Sequence, residues 1–173
     1  VELLKGLPIK RIEQVYQKRI TFALGGEVLV ATMRTHQGYA ALVSGGFTNF
    51  TRPVAAKLGF DEHRANTLLQ ANAALTGQVG TPILGREAKV TALKEISAAQ
   101  DLQITDVLAV GDGANDLGML LLAGTGVALN AKPNVQDQVS IRVNHGDLTS
   151  LLYLQGYLKS EFVTPNNVSE VPR

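Results

Sequence analysis

The sequence predicts an α/β fold: a doubly wound, Rossmann-like sheet, mostly parallel, with helices on both faces and a small antiparallel flap. Two observations lead to this class. Helical and strand patterns alternate along the 173 residues, which is typical of a parallel sheet covered on both faces. Residues 107–110 form an uninterrupted apolar run between polar residues, as in a strand that is buried on both faces.

The composition indicates an ordinary globular chain and argues against several other classes of protein. Hydrophobic residues make up 45% and charged residues 18% of the sequence, so intrinsic disorder is not expected. The net charge is +1 without any basic run, which gives no support for a nucleic-acid or membrane-surface partner. No apolar run reaches the roughly 18 residues of a membrane span. The sequence has no cysteine, and we expect a cytoplasmic protein because that fits a reducing compartment.

The first third of the chain is predicted to form three helices and one strand. Apolar residues at helical spacing predict a helix over residues 8–20 and another over residues 27–37. Residues 39–43 are predicted to form the next buried strand. A helix over residues 50–58 follows, and Gly59 is placed to end it.

The antiparallel flap is predicted in the middle of the chain. Two short strands over residues 65–69 and 78–83 would pair at one edge of the fold, joined through the residues between them. A long helix over residues 86–99 is then expected to return the chain to the sheet.

The last third is predicted to continue the parallel sheet. The apolar run over residues 107–110 is followed by short strands over residues 126–129 and 139–143. Asp147 is expected to cap a final helix.

The motif Gly-Asp-Gly-Ala-Asn-Asp follows directly after the strand at residues 107–110. It places Asp112 and Asp116 at the carboxyl end of a buried strand, where open α/β sheets bind their ligands. Two carboxylates at that position are costly unless something pairs with them, and Mg²⁺ with phosphate and water would do so. The alternative is a plain turn in which Asn115 or Asp116 caps the following helix.

Two further strand-to-helix junctions carry candidate ligand residues. Ser44, Gly45 and Gly46 provide a hydroxyl and two glycine amides before a helix, as in phosphate-binding loops, although the same residues also suit an ordinary turn. Lys89 falls in the first turn of its helix, where a cation opposes the helix dipole. Lys89 is therefore a candidate phosphate ligand, with an exposed surface lysine as the alternative.

The order of these motifs resembles the haloacid dehalogenase superfamily, and within it most closely the phosphoserine phosphatases. The similarity extends from Val1 to about Tyr157. The stretches that carry it are Leu3 to Pro8, Leu42 to Phe47, Ala65-Asn66, Leu75 to Gly77, Lys89, Val110 to Asp116, and Ala131 to Pro133.

The resemblance implies Mg²⁺-dependent hydrolysis of O-phosphoserine through an aspartyl-phosphate, the last step of serine biosynthesis. Lys89 and Asp116 would be catalytic, with Asp116 in contact with Lys89, and Asp112 would bind Mg²⁺. The phosphate-binding residues would be Ser44, Gly45, Lys89 and Asn115. Another small phosphomonoester is an alternative substrate, and a non-catalytic anion-binding module is an alternative function.

The sequence departs from the superfamily in one important respect. It contains no D-x-D-x-T motif, which carries the family's nucleophile on a central strand. Most of the family's lid and an arginine that binds the substrate carboxylate are also missing. We therefore expect a fragment, cut by proteolysis or at a chosen boundary, that is inactive alone.

The expected domain organisation follows from this departure. Residues 1–160 would form an incomplete phosphatase core, with residues 1–20 as a remnant of the lid, and residues 161–173 a loose tail. A missing strand would expose unpaired backbone on its neighbours. The partner expected to cover it is either the upstream segment or a second chain, for which a homodimer is one form.

Overall fold

The computed structural model describes residues 1–85 and 87–165, and these form two compact units. Unit 1 comprises Val1–Ile83 together with the described residues from Asp147 onward, and unit 2 comprises Leu84–Gly146. No described helix is long and apolar enough to cross a membrane.

The described secondary structure alternates between helix and strand as the sequence predicts. The helices are α1 Ile9–Arg19, α2 Gly26–Thr35, α3 Thr48–Leu58, α4 Ala88–Ala99, α5 Leu117–Leu122, α6 Pro133–Gln136 and α7 Ser150–Leu154. The strands are β1 Ala41–Phe47, β2 Glu62–Asn66, β3 Leu68–Ala71, β4 Ala74–Val79, β5 Leu108–Gly111, β6 Thr125–Leu129 and β7 Ile141–Val143.

Unit 1 contains a parallel pair of strands and an antiparallel hairpin. β1 pairs with β2 in parallel, and β3 pairs with β4 in antiparallel orientation. Residues 6–9 lie beside β4, where the Gly6 amide donates to the Leu75 carbonyl at 2.8 Å. Ile12 of α1 packs with Leu68 and Leu75 in the hydrophobic core of this region, so the apolar face of α1 covers the hairpin.

The predicted flap exists, but its strands were placed wrongly. Ala65 and Asn66 end β2, which is parallel to β1, and the hairpin is formed by β3 and β4. The turn lies at Asn72 and Ala73, which have φ values of 50° and 61°. Two-residue hairpin turns require such left-handed residues, and glycine is the usual signal for them. Because alanine gives no such signal, the predicted connection spans residues 70–77 and is longer than the observed two-residue turn.

Strand β1 also differs from its predicted extent. It continues through Phe47 instead of ending at Val43, and its pairing with β2 becomes irregular between these two residues. Helix α3 consequently begins at Thr48. Gly59 follows α3 with a φ of 82°, which confirms the predicted glycine stop.

Unit 2 contains a three-stranded parallel sheet with the strand order β5–β6–β7. Residues from α4, β5, α5 and β6 form its hydrophobic core, with Val135 of α6 fully buried among them. Gly126 permits close packing of α5, because a Cβ at this position would lie 1.9 Å from the Leu120 carbonyl oxygen. The expected helix over residues 86–99 begins at Ala88, and Arg86 lies outside the described residues.

The parallel pairing confirms the predicted fold class, but it is divided between two sheets. Among the residues that the structure describes, β1 pairs only with β2 and β5 only with β6. One edge of each of these strands therefore has no strand partner there, and its backbone groups are available for pairing.

The described end of the chain is attached to unit 1. The Val163 amide donates to the buried hydroxyl of Thr32 at 2.9 Å, and the Phe162 ring lies 5.0 Å from that of Tyr153. Within the region predicted as a loose tail, residues 166–173 lie outside the described residues.

Candidate active site

The loop after β5 is folded around the side chain of Asp116. This residue is only 3% exposed. Its carboxylate atom Oδ2 accepts hydrogen bonds from the amides of Asp112, at 3.2 Å, and Gly113, at 3.0 Å. A carboxylate that accepts two backbone amides is well suited to burial, because its charge is met by donors. Asp116 therefore fixes the backbone of the loop.

The other carboxylate oxygen of Asp116 forms an ion pair with Lys89. The lysine Nζ donates to Asp116 Oδ1, and the lysine side chain is only 14% exposed. Helix α4 begins at Ala88, so Lys89 lies in its first turn. The helix dipole disfavours a lysine in the first turn. The ion pair explains why Lys89 lies there, because its charge neutralises the buried carboxylate of Asp116.

Gly111 of the motif is required by the position of the Asp116 side chain, and Gly113 leaves space for the side chain of Asn115. A Cβ on Gly111 would lie 2.4 Å from the Cβ of Asp116, and a Cβ on Gly113 would lie 2.5 Å from Oδ1 of Asn115. Both distances are too short for real atoms. The Gly-Asp-Gly spacing therefore allows the acidic side chain to fold back over the loop.

Asp112 is held by its backbone and leaves its carboxylate exposed. Its amide is bound by Asp116, and its carbonyl accepts a hydrogen bond of 3.3 Å from the amide of Lys132. The residue is solvent-exposed. The backbone of Asp112 is thus fixed on both sides, while its carboxylate oxygens remain available to a ligand.

Among the described residues, the Asp112 loop offers one free carboxylate to a cation. An exposed carboxylate at a phosphate site fits Mg²⁺, which commonly takes one or two protein carboxylates and completes its shell with phosphate and water. Both oxygens of Asp116 are already engaged. Within residues 1–85 and 87–165, no group of three or more His, Cys, Asp or Glu side chains is placed to hold a metal. Asp112 therefore fits as one protein ligand of Mg²⁺, with phosphate and water as the other ligands.

The capping role considered for Asp116 is wrong. Asp116 precedes α5, which begins at Leu117, but its side chain makes no capping hydrogen bond to that helix. Its oxygens are taken by Lys89 and by the two loop amides. Sequence spacing alone could not distinguish these uses.

In unit 1, residues 44–46 belong to the irregular end of β1, and this Ser44 segment has a simpler construction. The Ser44 hydroxyl accepts a hydrogen bond from the Gly46 amide at 3.0 Å. The side-chain amide of Asn66 donates to the Gly45 carbonyl, also at 3.0 Å. A Cβ added to Gly45 would meet nothing within 4 Å, and both glycines are exposed. The backbone of the Ser44 segment is therefore accessible to a ligand at Gly45.

Comparison with known proteins decides the family. A family model described as haloacid dehalogenase-like hydrolase matches residues 1–121, which is more than half of the chain. The chain belongs to this family. The family resemblance inferred from the motifs is therefore confirmed.

The relatives of this haloacid dehalogenase-like chain include phosphoserine phosphatases. That of Streptomyces coelicolor is 36% identical over 98% of this chain and 41% of its own length. That of Methanocaldococcus jannaschii is 37% identical over 88% of this chain and 72% of its own length. The chain thus spans less than half of one relative and nearly three quarters of the other.

Solved structures show the same similarity. The chain matches a "Phospho-Aspartyl Intermediate Analogue of Phosphoserine phosphatase" with a TM-score of 0.82 and 36% identity, covering 88% of this chain and 73% of the other. It matches a probable phosphoserine phosphatase from Vibrio cholerae with a TM-score of 0.86 and 33% identity, covering 90% and 48%. These matches agree with the predicted fold class.

The predicted site residues of this family member fall into two groups. Lys89, Asp112, Asn115 and Asp116 lie in unit 2, where Lys89 contacts Asp116 as the resemblance implies. Ser44 and Gly45 lie in unit 1.

Two contacts of the site were not assigned from the sequence. Asn66 binds the Gly45 carbonyl and is 7% exposed, and the Lys132 amide binds the Asp112 carbonyl. Both residues belong to stretches that carry the family resemblance, which was the only signal for them.

A cavity of about 230 Å³ in unit 1 does not involve the predicted site. It lies between three elements: α1, β3 and the first turns of α3. The residues that line it include Ile12, Glu13, Asn49 and Arg52. None of the six predicted site residues lines it.

Proposed function

We propose that the whole protein to which this sequence belongs is a Mg²⁺-dependent phosphatase that hydrolyses O-phosphoserine to serine and phosphate. The observation that carries the proposal is the Asp112 loop, in which a buried Lys89–Asp116 ion pair lies beside an exposed carboxylate. The names of the similar proteins support phosphoserine as the substrate. The reaction is the last step of serine biosynthesis, and we place the protein in the cytoplasm.

Phosphoryl transfer depends chiefly on positioning and on neutralising the charge of the equatorial phosphate oxygens. Lys89 supplies a cation for this purpose. The Ser44 hydroxyl, the exposed Gly45 backbone and the Asn115 amide supply hydrogen bonds. Mg²⁺, when bound at Asp112, would neutralise further charge on the phosphoryl group.

Neither aspartate of the motif suits the role of nucleophile. Attack on phosphorus needs a free carboxylate oxygen, and both oxygens of Asp116 are engaged by Lys89 and by backbone amides. Asp112 is reserved for Mg²⁺ in the proposed site. The sequence has no D-x-D-x-T motif, so the proposed aspartyl-phosphate forms on a residue outside these 173.

We propose that the strand bearing this nucleophile pairs with the unpaired edge of β1 or β5. Each of these strands has a partner on one side only among the described residues, and unpaired edges readily accept another strand. The strand would come from the remainder of the whole protein or from a second chain, as in a homodimer.

The substrate is tested by comparing kcat/KM of the whole protein for phosphoserine and for other small phosphomonoesters, including phosphothreonine and phosphoethanolamine. We expect a clear preference for phosphoserine. Equal values would retain the phosphatase assignment and remove the substrate. If none of the phosphomonoesters is hydrolysed while inorganic phosphate still binds, the anion-binding module is the better description.

A further inference from the structure

A chain of hydrogen bonds leads from the end of β7 to the backbone of Asp112. The Asn144 side-chain amide donates to Oε1 of Gln136 at 2.9 Å. Nε2 of Gln136 donates to the Ala131 carbonyl at 2.6 Å. The amide of the next residue, Lys132, donates to the Asp112 carbonyl at 3.3 Å. The bond from Asn144 is solvent-exposed, whereas the bond from Gln136 to the Ala131 carbonyl is partly buried.

The turn in the middle of this chain is anchored in the core of unit 2. Ala131 is 6% exposed and Val135 is fully buried, and both belong to the same hydrophobic cluster. Lys132 has an extended conformation before α6. Because Ala131 lies outside the helix, its carbonyl depends on the Gln136 side chain for the hydrogen bond described. The Ala131 carbonyl and the Lys132 amide belong to the same planar peptide unit, so the bond from Gln136 helps to fix the direction of that amide.

We propose that Gln136 is a positioning residue for the metal ligand Asp112. It acts through the Ala131–Lys132 turn, whose amide holds the Asp112 carbonyl, and it touches neither the metal nor the substrate. The inference rests on the proposed function, because it takes Asp112 as a ligand of Mg²⁺. Replacing a residue that orients a metal ligand through hydrogen bonds typically changes the metal affinity by about 10- to 100-fold.

Gln138 provides a matched control on the same segment. Its Nε2 donates to the Asn134 carbonyl at 2.7 Å, so it makes the same type of bond at nearly the same length. Its acceptor does not lie on the turn that binds Asp112. Gln136→Met and Gln138→Met thus each remove a side-chain hydrogen bond to a backbone carbonyl, of which only the first is connected to the proposed metal site, and Gln136→Met also removes the acceptor for Asn144.

The measurement is the dissociation constant of Mg²⁺ alone for the whole protein, by isothermal titration calorimetry. We expect Gln136→Met to raise it about tenfold and Gln138→Met to change it by less than about twofold, since that bond is not connected to Asp112. In an Asp112→Asn background, Gln136→Met should have no further effect. Equal effects of the two glutamine variants, or an undiminished effect in the Asp112→Asn background, would overturn the proposal.

A second pair of variants separates the two bonds of Gln136 and serves if Gln136→Met does not fold. Gln136→Lys retains a donor for the Ala131 carbonyl, whereas Gln136→Glu retains only the acceptor for Asn144. We expect Mg²⁺ affinity close to wild type for the lysine variant and weakened affinity for the glutamate variant. The reverse order would contradict the proposal, as would a wild-type protein without measurable Mg²⁺ binding. Failure to hydrolyse phosphoserine despite normal Mg²⁺ binding would instead overturn the proposed function.

Discussion

The Asp112 loop of unit 2 and the Ser44 segment of unit 1, the two glycine-containing stretches predicted to bind the ligand, are built in different ways. The Asp112 loop is organised by a buried carboxylate that binds two backbone amides and a lysine. The Ser44 segment is held by neutral hydrogen bonds in the described contacts, which include one within the segment and one from Asn66, and Gly45 is exposed. Substitutions in the Asp112 loop should therefore affect both folding and activity, whereas those in the Ser44 segment should affect ligand binding alone.

The largest effect is expected from testing whether the Asp112 loop and the Ser44 segment suffice for catalysis. Both are present in the 173-residue chain, but neither supplies a free nucleophilic carboxylate in a D-x-D-x-T motif. Covalent catalysis depends on that group, so this chain alone should release no measurable phosphate from phosphoserine. The assay requires purified chain shown by mass spectrometry to carry no additional peptide. Turnover near that of a normal phosphatase would mean that another carboxylate acts as nucleophile.

The next effect is expected from Lys89→Ala. This change leaves Asp116 as an unpaired buried charge, which should lower the free energy of unfolding of the whole protein by about 3 kcal/mol. It should also lower kcat by about 100- to 1,000-fold, because the phosphoryl charge is no longer opposed. Urea denaturation and phosphate release measure the two effects. Lys94→Ala, at an exposed position of the same helix, is the control, and equal behaviour of the two variants would refute the special role of the pair.

Ser44→Ala should separate the effect on ligand binding from the effect on folding in the Ser44 segment. A hydrogen bond to a charged group contributes about 1.5–3 kcal/mol, so kcat/KM for phosphoserine should fall by about 10- to 100-fold. The midpoint of urea unfolding should change little, since only the bond to the Gly46 amide is lost from the folded chain. Ser140→Ala, at an exposed position, provides the comparison. A loss of stability as large as that of Lys89→Ala would contradict the difference in folding role between the Asp112 loop and the Ser44 segment.

The smallest effect concerns a carboxylate outside both the Asp112 loop and the Ser44 segment. Hydrogen bonds from the hydroxyl and amide of Thr149 lower the pKa of Asp147 below its ordinary value of 3.8. Such a group stabilises the fold above its unfolded-state pKa, and this stabilisation disappears as the pH falls through the lower folded-state pKa. Asp147→Asn should therefore be less stable than wild type at pH 7, and the difference should disappear under strongly acidic conditions. A difference that does not change with pH in urea denaturation would contradict the assignment.

Much of the fold could be predicted because its signals are local. The apolar spacing in α1 and the uninterrupted run in β5 depend only on neighbouring residues, and both elements were found where they were expected. The hairpin turn at Asn72 and Ala73 lies within the predicted connection, but the strands on either side of it were predicted too far apart because alanine rarely adopts positive φ.

The candidate site shows the same division between local and distant information. The motif at residues 111–116 marked the loop, and the family resemblance implied the contact between Asp116 and Lys89. The catalytic and ligand-binding roles of these residues stay predictions. The hydrogen bond from Lys132 to Asp112 joins residues twenty positions apart on different loops, and no local pattern encodes such a contact.

The most direct test of the proposed site is a Mg²⁺ titration of phosphoserine hydrolysis by the whole protein. Asp112→Asn keeps the size of the side chain but removes the charged oxygen ligand, so the Mg²⁺ concentration for half-maximal activity should rise by about tenfold or more. Asp137→Asn, an exposed substitution in the same unit, should leave that concentration unchanged. Normal activity and normal Mg²⁺ dependence in Asp112→Asn would contradict the placement of the metal at this loop.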